Sequence, residues 1–277
     1  MCFKDGAKIH LFLYFCACEI LNTMRPIVTL ISDWRTRDPY IAMFKGSLLN
    51  TIPDALIVDI SHVVELYNLN QTAFLTKHSY KKFPEGSIHI LLTNASINSR
   101  FSPVVIEYDH HYFISEDNGV LFMMFNMYGP MKGRQYVDDT TNAIEKIIRL
   151  TEAVCNNTLE SVTTEYLDFR HAFAPLPIHF SSERKIEGEI VYIDAYFNAI
   201  TNIPTSMFKE AVQKNAFEAI ILSKNSWKST VYHDKYQPEE DIYLTSNALD
   251  CLEITMYQAD VAILADFKVG DKVIIKY

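Results

Sequence analysis

Three polar residues stand where apolar, strand-like runs end: Asp33 after residues 27–31, His62 after 55–60 and Asn94 after 87–92. In open α/β sheets ligands bind outside the carboxyl ends of the strands, so a carboxylate, an imidazole and an amide at such positions point together to a cleft. Taken singly, each reads as a helix cap or a loop hydrogen bond. A second set follows another strand, in the stretch from Asp194 to Ile203. There Tyr196 or Phe197 could stack on a flat ring, while Asn198 offers a donor and an acceptor to the edge of a base. Read locally, the same stretch is a packed hairpin with amide turn residues.

The sequence has no G-x-G-x-x-G, P-loop, G-x-S-x-G or H-E-x-x-H motif. Asp109-His110-His111 suggests a metal, but adjacent side chains diverge and no third ligand is evident, so it reads as a surface loop. Met123, Met124, Phe125 and Met127 read as a core helix, Glu239-Glu240-Asp241 as a solvated turn, and Asp138-Asp139 as the cap of the helix that follows.

The elements that must position these residues alternate from Pro26 onward. Strands are predicted over 27–31, 55–60 and 87–92, with helices over 40–49, opened by Pro39, and 69–80 between them. Parallel pairing follows from such crossovers. Residues 104–108 and 112–115 then flank Asp109-His110-His111 as a hairpin, which makes the sheet mixed. A helix over 141–153 follows, and Ala174-Pro175-Leu176-Pro177 is the candidate linker, since its prolines stop helices and strands. Beyond it, 187–194, 219–222, 242–245, 252–256 and 272–275 are strand-like. The expected fold is α/β: an N-terminal α/β domain (24–178) with a mixed, largely parallel sheet, and a smaller β-rich, barrel-like C-terminal domain (179–277).

Composition bounds the partners. The chain has 277 residues, 49% of them apolar, and 25 Lys+Arg against 34 Asp+Glu, for a net charge of -9. A nucleic-acid backbone needs a concentrated basic footprint, and Lys81-Lys82 is too short a run to provide one. Cys2, Cys16, Cys18, Cys155 and Cys251 are odd in number and lack a C-x-x-C pair, which argues against a disulfide scaffold or structural zinc. The apolar stretch at 11–18 falls short of the roughly 20 residues that span a bilayer. Lys4 and Lys8 before it imitate a secretory signal, but Glu19 follows directly and no A-x-A-like site appears. Residues 1–23 therefore read as an N-terminal extension of a cytoplasmic protein.

Several segments, in order, resemble the SAM hydroxide adenosyltransferase family, which includes the SAM-dependent fluorinases and chlorinases. They are Ser32-Asp33 with Asp38-Pro39-Tyr40 and Lys45-Gly46; Ile57-Val58-Asp59-Ile60-Ser61-His62; and Phe83-Pro84-Glu85-Gly86-Ser87-Ile88-His89. His111-Tyr112-Phe113, Asp117-Asn118-Gly119-Val120-Leu121 and Phe173-Ala174-Pro175 continue the match. Val191-Tyr192-Ile193-Asp194, Asn198, Thr201-Asn202-Ile203, Leu252-Glu253-Ile254 and Val269-Gly270-Asp271 complete it.

The resemblance implies cleavage of S-adenosyl-L-methionine (SAM) at C5′ of the ribose, by water or hydroxide in the hydrolases and by halide in the halogenases. It implies SAM as substrate with no cofactor or metal, and a homotrimer holding the ligand between one subunit's first domain and a neighbour's second. By position, Asp33 matches the carboxylate that binds the ribose diol and Tyr67 an aromatic of the pocket. Asp194, Tyr196 and Asn198 match residues that hold the methionine amine, stack on adenine and bind its edge.

The water-holding set differs from the family's pattern. Asn94 stands where the hydrolases have Asp, Phe101 where they have Arg, with Arg100 one residue early, and Asp168 where they have His. An amide can orient water but cannot act as a general base at neutral pH, so Asp168 is the candidate replacement carboxylate. Asn247-Ala248 lacks the hydroxyl of the family's Asn-Ser. The halogenases' Tyr and Thr correspond to Asn94 and Ile97. The resemblance implies a SAM hydrolase-like enzyme or, as the alternative, a catalytically degenerate nucleoside- or SAM-binding protein of the same fold.

Overall fold

The computed structural model describes residues 25–95, 101–125, 131–138, 141–213, 215–239 and 241–277. The readings of residues 1–23, Arg100, Met127, Asp139 and Glu240 lie outside them. In chain order the elements are β1 (Ile27–Ser32), α1 (Tyr40–Thr51), β2 (Leu56–Ser61), α2 (Leu69–Ser79), β3 (Ile88–Leu92), β4 (Val104–Tyr108), β5 (His111–Ser115), α3 (Val120–Phe125), β6 (Gly133–Tyr136), α4 (Ala143–Cys155), α5 (Leu159–Val162) and β7 (Thr163–Tyr166). They continue with β8 (Ile178–Phe180), β9 (Lys185–Ile193), β10 (Ala199–Pro204), α6 (Thr205–Val212), β11 (Glu218–Leu222), β12 (Ser226–Ser229), β13 (Tyr232–His233), β14 (Tyr243–Ser246), β15 (Cys251–Thr255), α7 (Val261–Leu264) and β16 (Lys272–Lys276). The described residues form two compact units, one of 25–68, 79–118 and 131–169, the other of 69–78, 119–125 and 170–277.

The first unit is built on a sheet whose described strands run β2-β1-β3-β5-β4-β6-β7. The β2-β1-β3-β5 ladders are parallel and the rest antiparallel, so the sheet is mixed. Side chains alternate across a strand, which sorts the apolar runs onto two faces. Val28, Leu30, Ile88, Ile90 and Ile114 pack on one face against Phe44 and Leu48 of α1 and Ile147, Leu150 and Val154 of α4. Pro39 occupies the N-cap of α1, as expected from its fixed φ. At α4 the expected cap is corrected: Asn142 Oδ1, and not Asp138, accepts the Glu145 N–H, at 3.0 Å. The pair three residues apart, Asn142 and Glu145, has the spacing of a capping box.

The opposite face carries polar groups. Thr29 Oγ1 lies 2.7 Å from His89 Nδ1, and His89 Nε2 lies 3.2 Å from His111 Nδ1. Tyr80 and Phe113 enclose the two imidazoles edge-on or stacked. The surface-loop reading of Asp109-His110-His111 is thereby corrected in part. Asp109 (φ 52°) and His110 (φ 62°) form the two-residue turn between β4 and β5, both left-handed as a type I′ turn requires. His111 opens β5 and points inward, 4% exposed.

In the second unit the described strands run β12-β11-β16-β9-β10-β15-β14-β13, with β8 on β9. Register shifts along β10 against both neighbours mark bulges that curl this β-rich sheet. Its core joins Ile186, Ile190, Ile203, Leu252 and Ile254 to Phe208 and Val212 of α6 and Val261 of α7. Gly188 has no room for a side chain, because a Cβ there would meet Asn202 Oδ1 and Ile203 Cγ1 at 2.5 Å.

Burial, and secondarily the neighbouring His111, holds the His89 imidazole down to about 3, and burial also lowers His111. The unfolded chain takes up these protons as pH falls through about 6.5, while the native state refuses them. Stability is therefore complete above that value and lost toward about 3. Urea unfolding should show a loss of about 3 kcal/mol between pH 7 and pH 4 from His89, and Thr29→Val with His89→Leu should flatten that slope.

Candidate functional site

The parallel strands β1 and β3 end side by side, and the first site forms there. Asp33 follows β1 and is 4% exposed. Its Oδ2 accepts the backbone N–H groups of Tyr67 at 2.9 Å and Asn94 at 3.1 Å. Those donors point at the carboxylate because both residues are left-handed, with φ of 63° and 57°. Non-glycine residues reach that region at a cost of roughly 1–2 kcal/mol, and it persists where surroundings impose it. Arg35, with φ 65°, is a third such residue beside the same carboxylate.

Among the described residues Asp33 Oδ1 accepts no hydrogen bond, and Asp33 borders a cleft of about 550 Å³ with Trp34, Arg35, Asp38, Tyr40, Tyr67 and Asn94. Tyr67 is 69% exposed, so its ring is available as a wall. Trp34 Nε1 donates to Ala95 O at 3.3 Å and ties the two strand ends together.

The structure thus brings Asp33, Tyr67 and Asn94 together. Asp168 is exposed on the segment after β7 and is not among the residues lining this cleft. It lies near Tyr166, whose hydroxyl donates to Asp117 at 2.9 Å and is pushed up to about 12 by burial, then Asp117 and Asp168. Phe101, at the position of the family's Arg, packs against the apolar core.

The second unit gathers Asp194, Tyr196 and Asn198 in the turn from β9 to β10. Asp194 Oδ1 accepts the N–H groups of Tyr196 and Asn198 at 2.9 and 2.8 Å. Its Oδ2 accepts Asn198 Nδ2 at 3.1 Å, and Asn198 Oδ1 accepts Thr255 Oγ1 at 2.6 Å. Only one hydrogen of the Asn198 amide is left for a ligand. This is the packed hairpin anticipated locally, yet it lifts Tyr196 to 78% exposure and holds Phe197 at φ 59°. Both rings border a pocket of about 510 Å³ with Tyr236, Tyr257 and Asp260.

Sequence reasoning passed over the polar layer behind this pocket. Glu253, 2% exposed, accepts Tyr236 Oη at 2.6 Å and Asn247 Nδ2 at 3.2 Å. Burial pushes its carboxyl above the ordinary range, and the Asp194 charge adds to the effect. The available signal was a lone acid between the apolar Leu252 and Ile254 of β15. Asn247 Oδ1 is itself occupied by the N–H groups of Leu249 and Cys251.

A further cavity in the second unit, about 300 Å³ and mostly apolar, is bordered by Phe74, Pro175, Val191, Pro204 and Cys251. Burial pushes the Cys251 thiol up to about 12, which leaves it unreactive. Among the described residues no three His, Cys, Asp or Glu side chains converge to hold a metal ion, and no helix is long and apolar enough to cross a membrane.

Comparison with known proteins defines the class. Residues 28–188 match the SAM hydroxide adenosyltransferase N-terminal domain, and residues 188–274 match its C-terminal domain. The chain belongs to the SAM hydroxide adenosyltransferase family. It is 23% identical to an (R)-S-adenosyl-L-methionine hydrolase of Methanocaldococcus jannaschii over 91% of this chain and 96% of that protein. A fluorinase of Nocardia brasiliensis is 29% identical over 32% of this chain and 30% of its own length. The same fold occurs in an uncharacterized conserved protein from Thermotoga maritima, with a TM-score of 0.78 and 20% identity, covering 90% of this chain and all of that one.

Asp33→Ala should leave the Tyr67 and Asn94 N–H groups without their acceptor. Urea unfolding should then register a loss of about 1–3 kcal/mol, whereas Asp33→Asn, whose Oδ1 can replace one carboxylate oxygen, should lose less.

Proposed function

We propose that this protein binds SAM and cleaves it by attack of water or hydroxide at C5′, giving adenosine and L-methionine. The observation that carries the reading is Asp33, a buried carboxylate that borders an open cleft, with Oδ2 fixed by two backbone donors and Oδ1 accepting no hydrogen bond among the described residues. Such an oxygen can accept from a vicinal diol and fix the sugar. The relative named (R)-S-adenosyl-L-methionine hydrolase, matched over nearly its whole length, supports water as the nucleophile.

In this reading Tyr67 walls the sugar site, Tyr196 stacks on adenine, Asn198 meets its edge with the remaining amide hydrogen, and Asp194 holds the amine. The sulfonium departs as a neutral thioether and needs no acid on sulfur, so alignment of C5′ and exclusion of bulk water supply much of the acceleration. Asn94 and Arg100 are assigned to holding the attacking water and Asp168 to receiving its proton. The reading includes a homotrimer working in the cytoplasm, in which one subunit's sugar cleft is completed by a neighbour's aromatic pocket. It calls for SAM as substrate and for no cofactor.

A second reading, a nucleoside-binding protein without turnover, is favoured by two observations: residue 94 is an amide, and Asp168 lies exposed outside the lined cleft.

Incubation of the purified protein with SAM, followed by chromatography, should yield adenosine and methionine above a heat-killed control. Adenosine binding in calorimetry without product would reject the enzyme in favour of the second reading, and neither product nor binding would reject both. Asp33→Ala should weaken adenosine binding at least about tenfold, and Asp168→Ala should slow turnover without changing that binding.

A further inference from the structure

His62, the third of the strand-end residues, borders none of the pockets described above. It is 5% exposed and lies behind the Asp33 turn. Its Nδ1 is 2.8 Å from Ser32 Oγ, and that buried oxygen also accepts the Trp34 N–H at 3.3 Å. On the far side of the ring, Nε2 is 3.1 Å from Asp59 Oδ1, whose Oδ2 accepts Lys45 Nζ at 2.6 Å. Burial works against the Asp59 charge, yet the hydrogen bond from Lys45 and the nearby His62 ring draw its carboxyl below the usual value.

The chemistry of these groups orients the chain of contacts. Nε2 is not aligned for a regular hydrogen bond, but at ion-pair distance from a carboxylate, which only accepts, it must present a hydrogen. In the neutral ring Nδ1 is then the acceptor, so Ser32 donates its O–H to His62 and keeps its oxygen free for the Trp34 N–H. A bulge makes the file possible. The β1–β2 register steps from Leu30 opposite Asp59 to Ile31 opposite Ser61, passing over Ile60.

We propose that His62 is a positioning residue for Asp33. Ser32 and Trp34 are the chain neighbours of Asp33 on either side, and the file Lys45–Asp59–His62–Ser32 holds both, so that the carboxylate meets the Tyr67 and Asn94 amides with Oδ1 toward the cleft. The functional consequence rests on the reading of Asp33 as the sugar ligand; the structural one does not.

Two measurements on the full chain separate these. The first is amide hydrogen exchange; the second is calorimetry with adenosine. His62→Phe keeps a ring but removes both nitrogens. In it the Trp34, Tyr67 and Asn94 amides should exchange about tenfold faster, with adenosine bound about tenfold more weakly and the β3 amides unchanged. His62→Asn, whose Oδ1 can stand in for Nδ1 toward Ser32, should return both readouts toward wild type, which a merely space-filling role would not produce. Should His62→Phe fail to fold, Ser32→Ala removes only the hydroxyl and carries the same expectation. Wild-type exchange at the three amides, or an Asn variant as impaired as the Phe variant, overturns the proposal. Absence of adenosine binding even in the wild type would instead reject the sugar-site reading, while exchange still decides the role of His62.

Discussion

One buried carboxylate organises the first unit's site. Asp33 takes backbone hydrogen bonds from two segments distant in sequence, at Tyr67 and Asn94, and both donors lie in a backbone region that side chains disfavour. Charge-assisted bonds from N–H to carboxylate are about twice as strong as neutral ones, which is enough to offset that conformational cost. The cleft is therefore as well ordered as this carboxylate is, and everything that borders it inherits its geometry.

The second unit repeats the device with different parts. Asp194 accepts two backbone N–H groups and an amide within its own hairpin turn, and the constrained turn presents Tyr196 and Phe197 outward. In both units one carboxylate oxygen of an aspartate accepts two main-chain N–H groups, and one of the two residues so constrained is an exposed aromatic. Rings held by their backbone lose little conformational entropy when a flat ligand stacks on them, which suits them to recognition.

Much of the fold was legible in the sequence because its signals are local. Runs such as 27–31 and 87–92, largely apolar and almost wholly buried, read as buried strands, and Pro39 opens α1 as its fixed φ allows. Where a signal was ambiguous, tertiary context chose. Asn142 won the cap from Asp138 because it sits three residues before Glu145 in the closed first turn. His111 went inward because β5 begins there and alternation sends its side chain to the face that holds His89 and Tyr80. The short strands β6, β7, β12 and β13 carry too few residues for a periodic signal and are defined by their partners.

The sequence by itself determined the candidate groups, Asp33, His62, Asn94, Asp194, Tyr196 and Asn198, because strand ends and turn residues announce themselves through composition and period. It determined the family as well, through the order of many short segments. Only the tertiary structure decided how those groups divide. Asp33, Tyr67 and Asn94 converge on one cleft, His62 stands behind it, Glu253 joins the layer beneath the aromatic pocket, and Asp168 remains exposed. The reason is that a hydrogen bond between residues tens of positions apart depends on register, bulge and strand pairing, none of which any local stretch of sequence encodes.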